Sequence, residues 1–274
     1  MSVQNTNLPR DTLSQPTKDI SLWFPVLKTR QSAPLRLICF PYAGGGTPVF
    51  RAWPDALTEK VELHVAQLPG RGPRLREKPF TGMEMLVEIL TEKLRPLLNR
   101  PVAFFGHSLG ALIAFETALS LRKYGLSPEH LFVSGSIAPQ LPDPAPPIHG
   151  LPDDDFLREL NELNGMPQAV LDSKELLEIL LPVVRSDFTL LETYKYSTQP
   201  PLDCPITAFG GTRDPRTTQS GLEAWHAQTT GSFDLVMLQG DHFFIDTERP
   251  ILLDAIARRL LKADSMLDDL KPLS

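Results

Sequence analysis

The run Val102–Leu119, VAFFGHSLGALIAFETAL, constrains this chain more than any other stretch. It is apolar enough for a protein core, yet its centre reads Gly106-His107-Ser108-Leu109-Gly110. A membrane span needs about 20 mostly apolar residues with few or no charges. This run is barely that long and carries His107, Ser108, Glu116 and Thr117. It reads instead as a short buried strand, Val102–Phe105, turning abruptly into a helix from about Leu109. In so sharp a turn, side chains at positions 106 and 110 would collide with neighbouring backbone, and glycine stands at both.

The rest of the chain supplies a matching framework. Apolar runs at Leu35–Phe40, Val61–Leu68, Leu131–Ser134, Ile206–Phe209 and Leu235–Leu238 read as further strands. Helical periodicity appears near Met83–Leu98, Leu109–Lys123, Thr218–Gln228 and Ile251–Leu261. Near-continuous apolar strands alternating with helices indicate an α/β fold, a mostly parallel sheet with helices on both faces. The alternation breaks after Pro139, where Pro142, Asp143, Pro144, Pro146, Pro147 and Gly150 mark irregular chain. Two helical patterns follow, Asp153–Leu163 and Ser173–Leu191. This insertion, residues 140–199, reads as a helical lid over the sheet edge, or as a helix pair packed elsewhere. Residues 20–139 and 200–274 then form the core. Residues 1–19, polar and without an apolar centre, read as a flexible N-terminal extension and not as a secretory signal.

Composition narrows the class of partner. A formal net charge of -6, with no long basic stripe, argues against nucleic acid. Two cysteines, Cys39 in a strand pattern and Cys204 before Pro205, give no disulfide framework and fit a reduced, cytoplasmic setting.

G-x-S-x-G between a strand and a helix is the pattern of a nucleophile elbow, which exposes the serine hydroxyl at the strand's carboxyl end. A serine needs a base to take its proton. Among six histidines, His64 lies in a strand pattern, His130 at a strand start, His149 in the proline-rich segment and His226 on a surface helix. His107 should point away from Ser108. His242 alone follows the last strand in a loop at its carboxyl end. Asp214 sits in the equivalent loop after the penultimate strand, in Gly210-Gly211-Thr212-Arg213-Asp214-Pro215. The order Ser108, Asp214, His242 is that of the α/β-hydrolase triad. Asp241 and Asp187 are the other acids weighed; Asp187 reads as a lid anchor through Arg185. A tetrahedral intermediate also needs preorganised donors. The backbone N–H of Leu109 and that of Ala43, in the glycine-rich loop after Leu35–Phe40, fit that need.

With these residues assembled, the chain resembles the type II, editing thioesterases of polyketide and non-ribosomal peptide synthesis. "FPYAGGG", "LPGRGPRL", "GHSLGALIAFE", "LPVVRSDFTLLETY", "ITAFGGTRDP" and "GDHFF" occur in the family's order, over about Trp23–Leu261. The resemblance implies an α/β-hydrolase fold with a helical lid. It also implies hydrolysis of acyl thioesters on the phosphopantetheine arm of carrier proteins, without metal or organic cofactor. Ser108, Asp214 and His242 carry over as the triad, Ala43 and Leu109 as the oxyanion donors. Asp241 stands where the family usually has glycine, an extra carboxylate beside the base. Arg71 and Arg74, in the basic segment Gly70–Lys78, are candidates for docking an acidic carrier or its phosphate. Met166, Leu171, Leu180 and Phe188 are candidates to line an acyl tunnel. An acyl-CoA thioesterase, a carboxylesterase and a silent synthase-binding protein remain the alternatives.

Overall fold

In the computed structural model, residues 20–163, 170 and 172–268 are described. The expected extension, residues 1–19, lies outside them, as do Met166 and Leu171. Seven strands make one sheet in the order β1-β3-β2-β4-β5-β6-β7. They are β1 (Val26–Lys28), β2 (Leu35–Phe40), β3 (Val61–Val65), β4 (Val102–His107), β5 (His130–Ser134), β6 (Ile206–Gly211) and β7 (Phe233–Leu238). Every pairing is parallel except β1 against β3. The strand β1 has no counterpart among the expected ones.

Why the strands are apolar on nearly every residue follows from the two cores they separate. Ile38, Phe40, Phe104, Leu131, Val133 and Ala208 enter one cluster. Their sequence neighbours Leu37, Cys39, Ala103, Phe105, Phe132 and Phe209 enter the other. The first core is closed by α1 (Met83–Leu94) and α2 (Leu109–Leu121), the second by Trp53 and the long C-terminal helix α6 (Arg249–Asp268). Complete burial of each large side chain contributes roughly 1.5–3 kcal/mol, so the two-sided sheet is the main source of stability. Helix α2 is buried on almost all its faces because it lies between the sheet, α1 and the helix Lys174–Glu192.

The chain leaves the sheet after β5 and returns at β6, two strands that pair directly from Leu131↔Ile206 to Ser134↔Phe209. The excursion holds α3 (Asp153–Glu162) and α4 (Lys174–Glu192). Three charges, Asp153, Asp154 and Asp155, fill the first turn of α3, where carboxylates favour a helix N-terminus. Ser173 caps α4 by accepting from the Leu176 N–H at 3.3 Å. Phe156, Leu160, Val184 and Phe188 form a third small core together with Ile148, and Ala43 packs against it. The helix pair therefore sits over the glycine-rich loop after β2. A last short helix, α5 (Gln219–Glu223), follows β6 and closes the first core through Leu222.

Candidate active site

The elbow is built by steric exclusion. Ser108 has φ 55° and ψ -121°, the only positive φ outside glycine among the described residues. Such a conformation costs about 1–3 kcal/mol and persists because the surroundings over-determine it. A Cβ on Gly106 would stand 2.1 Å from the Gly110 carbonyl oxygen, and one on Gly110 would stand 2.0 Å from that of Phe40. Only glycine allows β4, α2 and the end of β2 to approach so closely. The Ser108 N–H is anchored to the Ser134 carbonyl at 2.7 Å.

His242 and Asp214 arrive from the loops after β7 and β6. His242 Nδ1 is 2.8 Å from Asp214 Oδ2. The carboxylate also accepts from Thr217 Oγ1 at 3.0 Å and from the Arg216 N–H at 2.8 Å. Burial alone would raise the Asp214 carboxyl, but the bonds from His242, Arg216 and Thr217 outweigh it and hold it below its ordinary value. With Nδ1–H donated to Asp214, the His242 Nε2 is left with its lone pair. Ser108 and His242 line the same two cavities. One, about 430 Å³, is bordered by Gln140, Tyr194, Tyr196 and Arg216. The other is narrow, about 40 Å³, and mainly apolar, lined by Tyr42, Ala43, Leu160, Val184 and Phe188.

Ala43 belongs to the turn Tyr42–Gly45, closed by the Gly45 N–H on the Tyr42 carbonyl at 2.9 Å. Strand pairing Phe40↔Gly106 sets this turn beside the elbow. Leu109 is the first residue of α2, so its N–H has no carbonyl partner within the helix. Among the described residues, no group of three histidine, cysteine or acidic side chains is arranged to hold a metal ion. None of the helices there is long and apolar enough to cross a membrane.

This geometry has close relatives. The sequence matches the thioesterase domain family over residues 35–262. The chain belongs to that family. The gramicidin S biosynthesis protein GrsT of Aneurinibacillus migulanus is 44% identical over 242 residues, 88% of this chain and 94% of that one. The RedJ thioesterase of the prodiginine pathway of Streptomyces coelicolor superposes with TM-score 0.80 at 41% identity, over 87% of this chain and 98% of that structure. The type II thioesterase BorB of the borrelidin cluster gives TM-score 0.80 at 36% identity, over 87% and 98%. The chain is accordingly a thioester hydrolase of the type II group, on the α/β-hydrolase fold.

Other residues singled out in the sequence fall differently. Arg71 and Arg74 are not a docking surface on this thioesterase: they are 6% and 3% exposed, and both are fully engaged. Arg74 pairs with Glu77 at 2.6 Å and lies over the Trp23 ring at 3.6 Å. Arg71 forms a bidentate pair with Asp187. Planar guanidinium groups tolerate burial against rings and carboxylates, so a basic sequence became a buried network. The Asp187 partner is thus Arg71 and not Arg185, which instead holds Asp153 at 2.7 Å and the His149 and Leu151 carbonyls. Phe188 lines the narrow cavity, whereas Leu180 lines neither. Asp241 Oδ1 accepts from the Phe243 N–H at 2.9 Å.

His107 has a role the sequence did not disclose. Its Nε2 lies 2.9 Å from the His242 carbonyl oxygen and its Nδ1 2.9 Å from Ser134 Oγ. A carbonyl only accepts, so Nε2 carries the proton and Nδ1 accepts from the serine hydroxyl. Burial, assisted by the neighbouring His242, pushes His107 down to about 3 and keeps it neutral. It ties the elbow to the loop that carries His242.

Proposed function

We propose that this thioesterase removes acyl groups from the phosphopantetheine arm of carrier proteins, as an editing or release enzyme of polyketide or non-ribosomal peptide biosynthesis. The single observation that carries the reading is the convergence of the elbow serine and an Asp214-bound His242 on the same pair of cavities. Ser108 Oγ gives its proton to His242 Nε2 and attacks the thioester carbonyl. The Ala43 and Leu109 N–H groups receive the oxyanion. The pantetheine thiolate leaves, taking the proton from His242, and the acyl group stays on Ser108. Water, deprotonated by His242, then releases the acid and restores the serine. Asp214 keeps the imidazole in the tautomer both steps require. The narrow apolar cavity suits the acyl group, and the larger, more polar one suits the arm.

The test compares acyl-carrier proteins with matching acyl-CoA and oxygen esters, using wild type and Ser108→Ala. Loss of a triad member is expected to lower kcat by about 10⁴- to 10⁶-fold, with folding unchanged. The expected order of kcat/KM is carrier thioester above CoA thioester above oxygen ester. Turnover that survives Ser108→Ala removes the mechanism; an oxygen ester hydrolysed best removes the substrate class.

A further inference from the structure

The lid helix is bonded directly to the loop that carries Ala43. Asp187 Oδ2 accepts from the Gly44 N–H at 2.7 Å and from Arg71 Nη1 at 2.7 Å, while Oδ1 accepts from Arg71 Nη2 at 2.7 Å. The same Nη1 donates to the Gly45 carbonyl at 2.9 Å. The Asp187 side chain is 1% exposed and that of Arg71 7%. Charge-assisted, bidentate bonds of this kind fix geometry as well as adding energy. Packing agrees: Gly44 has φ +75°, and a Cβ there would stand 2.9 Å from Val184 Cγ2, on the same helix one turn before Asp187.

The acceptor on Gly44 fixes one peptide plane of the turn, and the Gly45–Arg71 bond fixes another. Ala43 lies at the head of these restraints, between Tyr42 and Gly44. We infer that Asp187 is a positioning residue for the oxyanion hole: through Gly44 it aims the Ala43 N–H, so the hole is complete only when α4 is seated. This rests on the serine-hydrolase reading above. Arg71 serves by holding the carboxylate in place and neutralising it. A clamp that merely tethered the lid would need no bond to a backbone amide next to an oxyanion donor.

Two double variants separate positioning from tethering, since both remove the ion pair without stranding a charge. Arg71→Met with Asp187→Leu removes the acceptor, while Arg71→Met with Asp187→Asn keeps a carbonyl for Gly44. Both are assayed with an acyl-N-acetylcysteamine thioester and with a trifluoromethyl ketone that forms a tetrahedral adduct on the serine. Removing one oxyanion donor costs about 10²–10³ in kcat. The leucine variant is expected to lose about 10²-fold in kcat and in ketone affinity with KM little changed, and the asparagine variant to recover about tenfold or more of both. Asp187→Glu, which retains the charge but displaces the acceptor, gives the same kcat-specific loss if the leucine variant does not fold. Equal kcat and ketone affinity in the two doubles, or a loss confined to KM, overturns the inference. Wild-type turnover that persists in Ser108→Ala overturns the serine-hydrolase reading and this inference with it. Ser108-dependent turnover with equal doubles overturns the inference alone.

Discussion

Asp214 is bonded to the His242 imidazole and Asp241 precedes it in sequence, yet the two acids do different things. Asp214 donates nothing and accepts from His242, Arg216 and Thr217, whereas Asp241 accepts from the Phe243 N–H. Asp214→Asn is expected to lower kcat by as much as ~10⁴-fold, because the amide selects the wrong histidine tautomer. Asp241→Gly should leave kcat within a few-fold; steady-state kinetics of the pair decides, and the reverse pattern would reassign the acid. Replacing His107 by leucine frees the His242 carbonyl, and displacement of a catalytic group by about 1 Å can cost 10²-fold. The expected loss is in kcat, and the rate of serine labelling by a fluorophosphonate should fall with it, since both need His242 in place. The elbow turn and the Asp214–His242 pair could be read from sequence because each of these residues stands next to a strand end. His107 could not, since nothing in G-H-S says that its ring turns under the elbow toward another loop. Asp187 left a fainter signal: an acid between Val184, Phe188 and Leu191 on the apolar side of a helix needs a buried partner. Its partner, Arg71, lies too far away in sequence for spacing to reveal it.

Elements follow the same division between local and distant information. The six parallel strands were legible because each packs against a core on either face and is therefore apolar at most positions. Their edges moved: β4 continues through His107 and β6 through Gly211, carried by pairing with neighbours rather than by hydrophobicity. Strand β1 was missed because it is short, at the sheet edge, and exposed at both ends. In α4, Pro182 removes one helical N–H, and the helix buries Val183, Val184, Asp187, Phe188 and Leu190 only beyond it. The half before it exposes Leu176 and Ile179. Phe188 meets Phe156 edge-on at 5.6 Å and lines the narrow cavity. Phe188→Trp is expected to shift the preferred acyl group toward smaller ones, with overpacking costing about 1–3 kcal/mol of stability. Competition between acyl thioesters of different length measures it; an unchanged preference would leave Phe188 as core only.

At the scale of the whole molecule, buried neutral histidines make the fold acid-sensitive. His130 stacks on Phe132 at 4.1 Å and bonds Thr207 Oγ1 at 2.9 Å. Burial, with Arg259 adding to it, pushes its imidazole down to about 4. An unfolded histidine takes its proton near pH 6.5. Between those values the unfolded chain binds a proton that the folded one refuses, so stability falls as pH drops and is fully present only above about 6.5. The loss attributable to His130 reaches about 3 kcal/mol by pH 4. Urea unfolding from pH 7 to 4 should show a shallower decline in His130→Gln than in wild type; parallel curves would refute the assignment. The sheet carries a different consequence in its connections. Because β5 and β6 are bonded to each other, the pairing of these strands does not run through the helices α3 and α4 that lie between them in sequence. If Asp187 positions the oxyanion hole as inferred above, a replacement for α4 that lacks an acid matching Arg71 and Gly44 would bring a new pocket to a disabled catalyst. On that inference, α4 would carry both part of the pocket wall and the acid that completes the catalyst.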